Sequence, residues 1–187
     1  YKDEKITSDD RTVIGNSTPD FFGAFGTNFT WKNLDLNLSF QYSYGGNVYN
    51  ANYNQLAAFT GTTNHQMAFF EERWSPRNLA STQYSTMTNG AVCSAFVEDA
   101  SFLRLRSARI SYTCPRKWFG PNSHIGSIKF YIAGENLFVL TRYSGYDPEV
   151  YSNQGSSSMS NILTSGFDYG CFPRPRTFTA GINILFQ

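Results

Sequence analysis

From Leu34 to Tyr44 every second residue is apolar or aromatic (Leu34, Leu36, Leu38, Phe40, Tyr42, Tyr44). The residues between them are small or polar (Asp35, Asn37, Ser39, Gln41, Ser43). A period of two gives an extended strand with one greasy face and one wet face. The rhythm returns near the end of the chain, where Phe178, Ala180, Ile182, Ile184 and Phe186 alternate with Thr177, Thr179, Gly181, Asn183 and Leu185. Such a run matches the roughly 9–11 residues that a tilted strand needs to cross a bilayer. The pattern points to the wall of a membrane β-barrel.

Five segments carry this period: 21–31, 34–44, 102–114, 128–140 and 176–186. The first puts Phe21, Phe25, Phe29 and Trp31 on one face and Ala24, Gly26, Asn28 and Thr30 on the other. Only Lys32-Asn33 separates it from the second, which predicts a tight hairpin with Asn33 as the residue that tolerates φ > 0. In the third, Ala108, Ile110, Tyr112 and Cys114 share a face, but Leu103 and Leu105 are out of phase with them. Either a bulge shifts the register, or Arg104 and Arg106 point outward at a charged headgroup layer. Pro115 stops this strand. In the fourth, Ile128, Phe130, Ile132, Phe138 and Leu140 face one way, with Gly134 and Asn136 interrupting.

The connections alternate in length. Lys32-Asn33 is minimal and Pro115–Ser127 modest, whereas 1–20, 45–100 and 141–175 are long. Outer-membrane barrels have short periplasmic turns and long outer loops. The long segments are therefore expected to be extracellular and the C-terminus periplasmic. Five strands cannot close a barrel of the usual even-stranded kind, and an open sheet in lipid would leave two edges of unpaired backbone groups. The chain is expected to be part of a larger barrel, its missing strands lying before Tyr1. Within the long loops, Asn54–Phe59 and Gln66–Trp74 read as short helices, the second ended by Pro76. Thr141–Tyr151 reads as an ordered loop and Gln154–Ser160, rich in Ser and Gly, as a mobile one.

Composition sets limits on other readings. Fifteen basic and 14 acidic residues give a net charge of +1, which offers nucleic acid no attraction. A mean hydropathy of −0.37 does not exclude a barrel, because half of each strand faces water or a polar lumen. Aromatic residues at 17% suit interfacial girdles; on composition alone, a soluble Tyr-rich β-sandwich that binds carbohydrate fits equally well. Cys93, Cys114 and Cys171 are an odd number without CxxC spacing, so unpaired thiols are preferred to a Cys93–Cys171 bridge. No signal peptide opens the chain.

Motifs for covalent chemistry are missing: there is no P-loop, GxGxxG, HExxH or GxSxG. His65 and His124 fall in different connections and read as solvated loop residues. The acidic cluster Asp3, Glu4, Asp9 and Asp10 lacks EF-hand spacing and also reads as solvated. No enzyme activity, cofactor or metal site is expected.

Several stretches, in order, resemble SusC/RagA-type TonB-dependent outer-membrane transporters. They are DRTVIGNSTPDFFGAFGTNFTWKNLDLNLSFQYSYGGNVYN (10–50, numbered from Asp10), RWSPRN (73–78), AFVEDASFLRLRSARISYTCP (95–115), IAGENLFVLTRYSGYDPEV (132–150) and PRPRTFTAGINILF (173–186). The resemblance implies an all-β transmembrane antiparallel barrel of ~22 strands with a plugged lumen, of which this chain would supply the last five. It implies TonB-energised import of oligosaccharides or oligopeptides, with a passive porin as the rival membrane reading. The implied partners are a SusD-like surface lipoprotein acting as a lid, the TonB–ExbB–ExbD complex, the N-terminal remainder of the barrel, and lipid with lipopolysaccharide. Tyr143, Tyr146, Asp147 and Tyr151 are the candidates for substrate or lid contact, followed by Asn47, Tyr49 and Tyr53. Phe178, Ile182, Ile184 and Phe186 are assigned to barrel closure, with Phe186 as the assembly signal although Gln187 follows it.

Overall fold

A computed structural model describes residues 11–57, 71–81, 92–120, 123–150 and 166–186. The strands are β1 (Phe21–Trp31), β2 (Leu34–Tyr44), β3 (Asn47–Asn50), β4 (Val97–Asp99), β5 (Phe102–Thr113), β6 (Ile125–Thr141), β7 (Phe167–Asp168) and β8 (Thr177–Phe186). Helix α1 covers Ala51–Ala57. The chain divides into two compact units: a sheet unit (20–44, 101–142, 173–187) and a loop unit (1–19, 45–100, 143–172).

The sheet unit is one antiparallel sheet in the order β1-β2-β5-β6-β8. Residues paired across a ladder share a face, so the register can be followed from edge to edge. Leu34 pairs with Tyr112, Tyr112 with Phe130, and Phe130 with Ile182. Leu36, Ile110, Ile132 and Ala180 form the next row. One face is therefore apolar across all five strands. Many of its members stay exposed, with Ile132 at 60% and Phe178 at 72%. A β-sandwich would bury such a face against a second sheet. The other face carries Asp35, Asn37, Arg109, Lys129, Glu135 and Asn183, which the same pairings place together.

The phase slip in β5 is a bulge. Phe40 pairs with Leu105 and Ser39 with Ser107, so Arg106 is an extra residue relative to β2. That single insertion returns Leu103 and Leu105 to the apolar face with Ile110 and Tyr112. β6 answers with two residues, Asn136 and Leu137, between its pairs to Ser107 and Leu105. Asn136 takes the left-handed backbone (φ 53°) that this needs, a conformation Asn tolerates well. Arg104 lies on the polar face and is only 1% exposed, not at a headgroup layer. Its Nη1 donates to Asn136 Oδ1 at 2.6 Å, and Asn136 Nδ2 donates to the Arg174 carbonyl at 2.7 Å. The side chain that relieves the bulge thus also ties down the approach to β8.

The β1–β2 hairpin differs from expectation in one respect. The left-handed residue is Lys32 (φ 55°), not Asn33. Asn33 serves the neighbouring strand instead: its Nδ2 donates to the Thr113 carbonyl at 2.7 Å, and its carbonyl accepts the Thr113 N–H at 2.8 Å. Using Asn33 as a bridge to β5 leaves the strained position to Lys32.

The loop unit holds a small sheet in the order β4-β3-β7, antiparallel between β3 and β4 and parallel between β3 and β7. Val48, Tyr143 and Val150 form one buried cluster, with Ala100 and Cys171 against it. Ala57 and Phe96 form another, with Tyr49, Tyr53, Leu56 and Cys93 against it. Helix α1 starts earlier than Asn54 because Asn50 caps it, its Oδ1 accepting the Tyr53 N–H at 2.9 Å. Residues 58 and 59 of the expected helix lie outside the described residues, as do 66–70 of the next one; helical backbone there ends at Glu72. The segment Gln154–Ser160, the acidic cluster at 3–10 and His65 also lie outside them. No disulfide joins Cys93, Cys114 and Cys171, all three of which are among the described residues.

Candidate functional site

The residues expected to touch substrate or lid all belong to the loop unit, and most of them are used to build it. Tyr143 is 5% exposed, and its hydroxyl donates to Asp168 Oδ2 at 2.5 Å. Burial, then the bond to this carboxylate and the nearby negative charges, hold its phenol well above the usual tyrosine range. Asp147 is buried too, and its Oδ1 accepts the Glu149 N–H at 3.0 Å, a turn that shapes the Asp-Pro-Glu corner. Tyr49 stacks on Phe167 at 5.3 Å between ring centres and meets Phe96 edge-on. Its oxygen accepts the Asn54 amide at 2.6 Å; burial still pushes the phenol up. Tyr53 packs edge-on against Phe96. Asn47 Oδ1 accepts the Asn16 N–H at 3.1 Å, pinning the segment before β1. Tyr146 is the exception: it is 78% exposed. Tyr151 lies outside the described residues.

Around these residues runs a polar network that the sequence reading did not assign. Asp168, 2% exposed, accepts from Tyr143 and, through Oδ1, from Asn52 Nδ2 at 3.0 Å. Asn52 Oδ1 in turn accepts the Gly170 N–H at 2.8 Å. Glu98 Oε1 accepts Ser144 Oγ at 2.7 Å and Asn50 Nδ2 at 2.9 Å, while its Oε2 accepts the Ser144 N–H at 2.7 Å. Two carboxylates thus join three distant stretches of chain, at 50–52, 98 and 143–170. Gly166 completes the frame. At φ 76° a Cβ would lie 2.5 Å from Ser17 Cβ and 3.0 Å from the Asn47 carbonyl, so only glycine fits. The chemistry is that of a scaffold: both carboxylates accept from neutral donors.

The polar face of the sheet unit is organised differently. Lys129 Nζ meets Asp35 Oδ2 at 2.8 Å across β5. The Arg109 guanidinium lies 4.3 Å from the centre of the Tyr131 ring. On the apolar face, aromatic rings gather at both ends. Phe21 stacks on Tyr44 (4.8 Å) at one end, and Tyr112 meets Trp118 (6.3 Å), with Trp31 in the same row two strands away, at the other. The closure candidates Phe178, Ile182, Ile184 and Phe186 line the apolar face of β8, which is an edge strand, as is β1.

No family model matches the chain. Individual proteins do. TonB-dependent receptor P3 of Formosa agariphila is 34% identical over 183 residues, covering 97% of this chain and 18% of the receptor. TonB-dependent receptor P26 of the same organism is 33% identical, covering 100% of this chain and 19% of the receptor. TonB-dependent receptor SusC of Bacteroides thetaiotaomicron is 24% identical over 97% of this chain. The chain therefore spans less than a fifth of the relatives it matches. Among solved structures, the RagAB peptide importer in its open-open state superposes with a TM-score of 0.81 over 97% of this chain and 19% of the importer chain, at 23% identity. That likeness gives the fold, a segment of β-barrel with its loops. Sequence and fold agree along nearly the whole length: proteins named TonB-dependent receptors, SusC among them, cover this chain, and its fold is that of a SusC/RagA-like barrel segment.

Proposed function

We propose that this chain is the closing arc of an outer-membrane active importer that takes up oligosaccharides or oligopeptides. Uptake is energised through TonB, and a SusD-like surface lipoprotein covers the extracellular side. The observation that carries this reading is the two-faced sheet: a continuous apolar surface on one side, charged and hydrogen-bonding groups on the other, and open edges at β1 and β8. An 11-residue strand such as β2, tilted as barrel strands are, spans about the 25 Å apolar band of an outer-membrane barrel. The aromatic rings at both ends of that face fit its two interfaces. Open edges in lipid are untenable, so β8 pairs with the first strand of the remaining barrel and β1 with the strand before it.

In this reading the short connections are periplasmic and the long ones extracellular. The loop unit then forms part of the vestibule, with Tyr146 and Tyr151 as its contacts to substrate or lid. Tyr143, Asp147, Asn47, Tyr49 and Tyr53 hold the loops in shape. The protein performs no covalent chemistry. The test is to delete the full-length gene in its native host and measure uptake of fluorescent oligosaccharides and oligopeptides, with and without TonB. Loss of uptake of one class in both deletions supports the reading. Uptake that persists without TonB, yet needs this protein, would instead make it a passive porin.

A further inference from the structure

The apolar face contains a hollow of about 570 Å³ lined chiefly by Ile110, Tyr112, Phe130, Ile132, Ala180 and Ile182. It exists because small Ala180 sits in a row of larger side chains, directly opposite Ile132. The hollow reaches the end of the sheet at which the two short connections lie: Leu34 and Tyr112, paired across β2 and β5, belong to its rim. There the surface changes character. Tyr112 touches Trp118, which ends the 3-10 turn Arg116–Trp118, and Arg116 and Lys117 are exposed beside it. Lys32, in the other short connection, lies 5.0 Å from the Trp31 ring centre. Arg116 spends one weak bond, 3.4 Å to the Gly126 carbonyl, and keeps its other donors for a partner. Residues 32–33 and 114–124 together carry Lys32, Arg116, Lys117 and His124 and no carboxylate.

A greasy hollow that ends at indole rings and then at cations, without acidic residues, matches the profile of one amphiphile. Its chain is apolar, its shoulder sits at the interface, and its headgroup is anionic. We infer that this end of the sheet is a binding site for an anionic phospholipid, with an acyl chain in the hollow over Ala180 and the phosphate held by Lys32, Arg116 and Lys117. The inference rests on the reading that the apolar face meets lipid. It adds a preferred headgroup and a fixed position to what would otherwise be a uniform solvent.

The test uses the full-length receptor, delipidated in detergent and titrated with phosphatidylglycerol or phosphatidylethanolamine while bound lipid is counted by native mass spectrometry. Phosphatidylglycerol should bind more tightly, and the preference should fall roughly fivefold for each cation removed in Lys32→Gln, Arg116→Gln and Lys117→Gln. Ala180→Phe, which fills the hollow, should weaken both lipids. Inorganic phosphate should not displace the lipid. Equal binding of the two lipids, a triple variant that keeps the preference, or displacement by phosphate would each overturn the inference. Quenching of Trp118 by brominated acyl chains, read as the difference from Trp118→Phe, separates the two levels. Quenching without headgroup preference leaves the lipid-facing reading standing and removes only the site, whereas absence of quenching removes both.

Discussion

The sheet unit and the loop unit solve opposite problems with the same residue types. In the sheet unit large apolar side chains are exposed and backbone groups are satisfied by the ladder; its environment must supply the burial. In the loop unit the secondary structure is slight, and two carboxylates, the buried Asp168 and the half-buried Glu98, do the joining. Tyrosine shows the difference. Tyr112 is partly exposed within an apolar row, whereas Tyr143 is buried with its hydroxyl committed to Asp168. The lesson is that in the sheet a residue's role follows from its parity, and in the loops it follows from a partner far away in sequence.

That contrast can be broken by substitution. The largest effect is expected for Ile132→Arg, in the middle of the apolar face: about 2–4 kcal/mol of destabilisation, measured as a lowered midpoint for unfolding of the full-length barrel in lipid. A polar-face control, Asn183→Arg, should cost far less; equal costs would mean that the two faces are not in different media. Next is Asp168→Ala, which strands the Tyr143 hydroxyl and the Asn52 amide and should cost about 1–3 kcal/mol. The loss should be confined to the loops: faster hydrogen exchange at 143–150 and 166–170, with the barrel midpoint unchanged. A shifted barrel midpoint would show that the two units do not respond separately.

The third prediction concerns alkaline pH. Tyr143 has its phenol raised above the ordinary value near 10 in the folded state. The unfolded chain therefore gives up this proton first, so the contribution is intact below about pH 10 and is lost above it. Each pH unit beyond should weaken the loop unit by roughly 1.4 kcal/mol until the folded group also ionises. Hydrogen exchange corrected for intrinsic rate, compared between wild type and Tyr143→Phe, checks the sign: only the wild type should weaken through this group. The smallest effect is expected for Lys129→Ala, since its pair with Asp35 is partly exposed and worth about 0–1 kcal/mol. A loss above that in the unfolding midpoint would mean that the polar face is drier than its exposure implies.

The strands, their faces and the hairpin were legible because an alternating pattern needs no knowledge of partners. The residue that takes the left-handed turn was not, since Asn33 gains more by bonding Thr113 across 80 residues than by relieving Lys32. The two readings of Arg104 and Arg106 could not be separated either, because a bulge and an outward-pointing arginine leave the same out-of-phase leucines. In the loops, aromatic density drew attention to Tyr143 and Tyr49, but density does not distinguish a buried ring from an exposed one. Glu98 and Asp168 went unassigned because their partners lie 46 and 116 residues away. The only local hint was at Asp168, a single carboxylate between two aromatic residues in Phe167-Asp168-Tyr169.

The bulge at Arg106 also bears on how such a strand can change length. Removing one residue anywhere else within β5 would invert every side chain on one side of the cut, sending leucines into the polar face or arginines into the apolar one. Removing Arg106 would not, because Leu105 and Ser107 already occupy successive positions opposite Phe40 and Ser39. Position 106 is thus the one point in the strand where a codon can be lost without reversing inside and outside, and homologous barrels are free to differ in length there while keeping both faces.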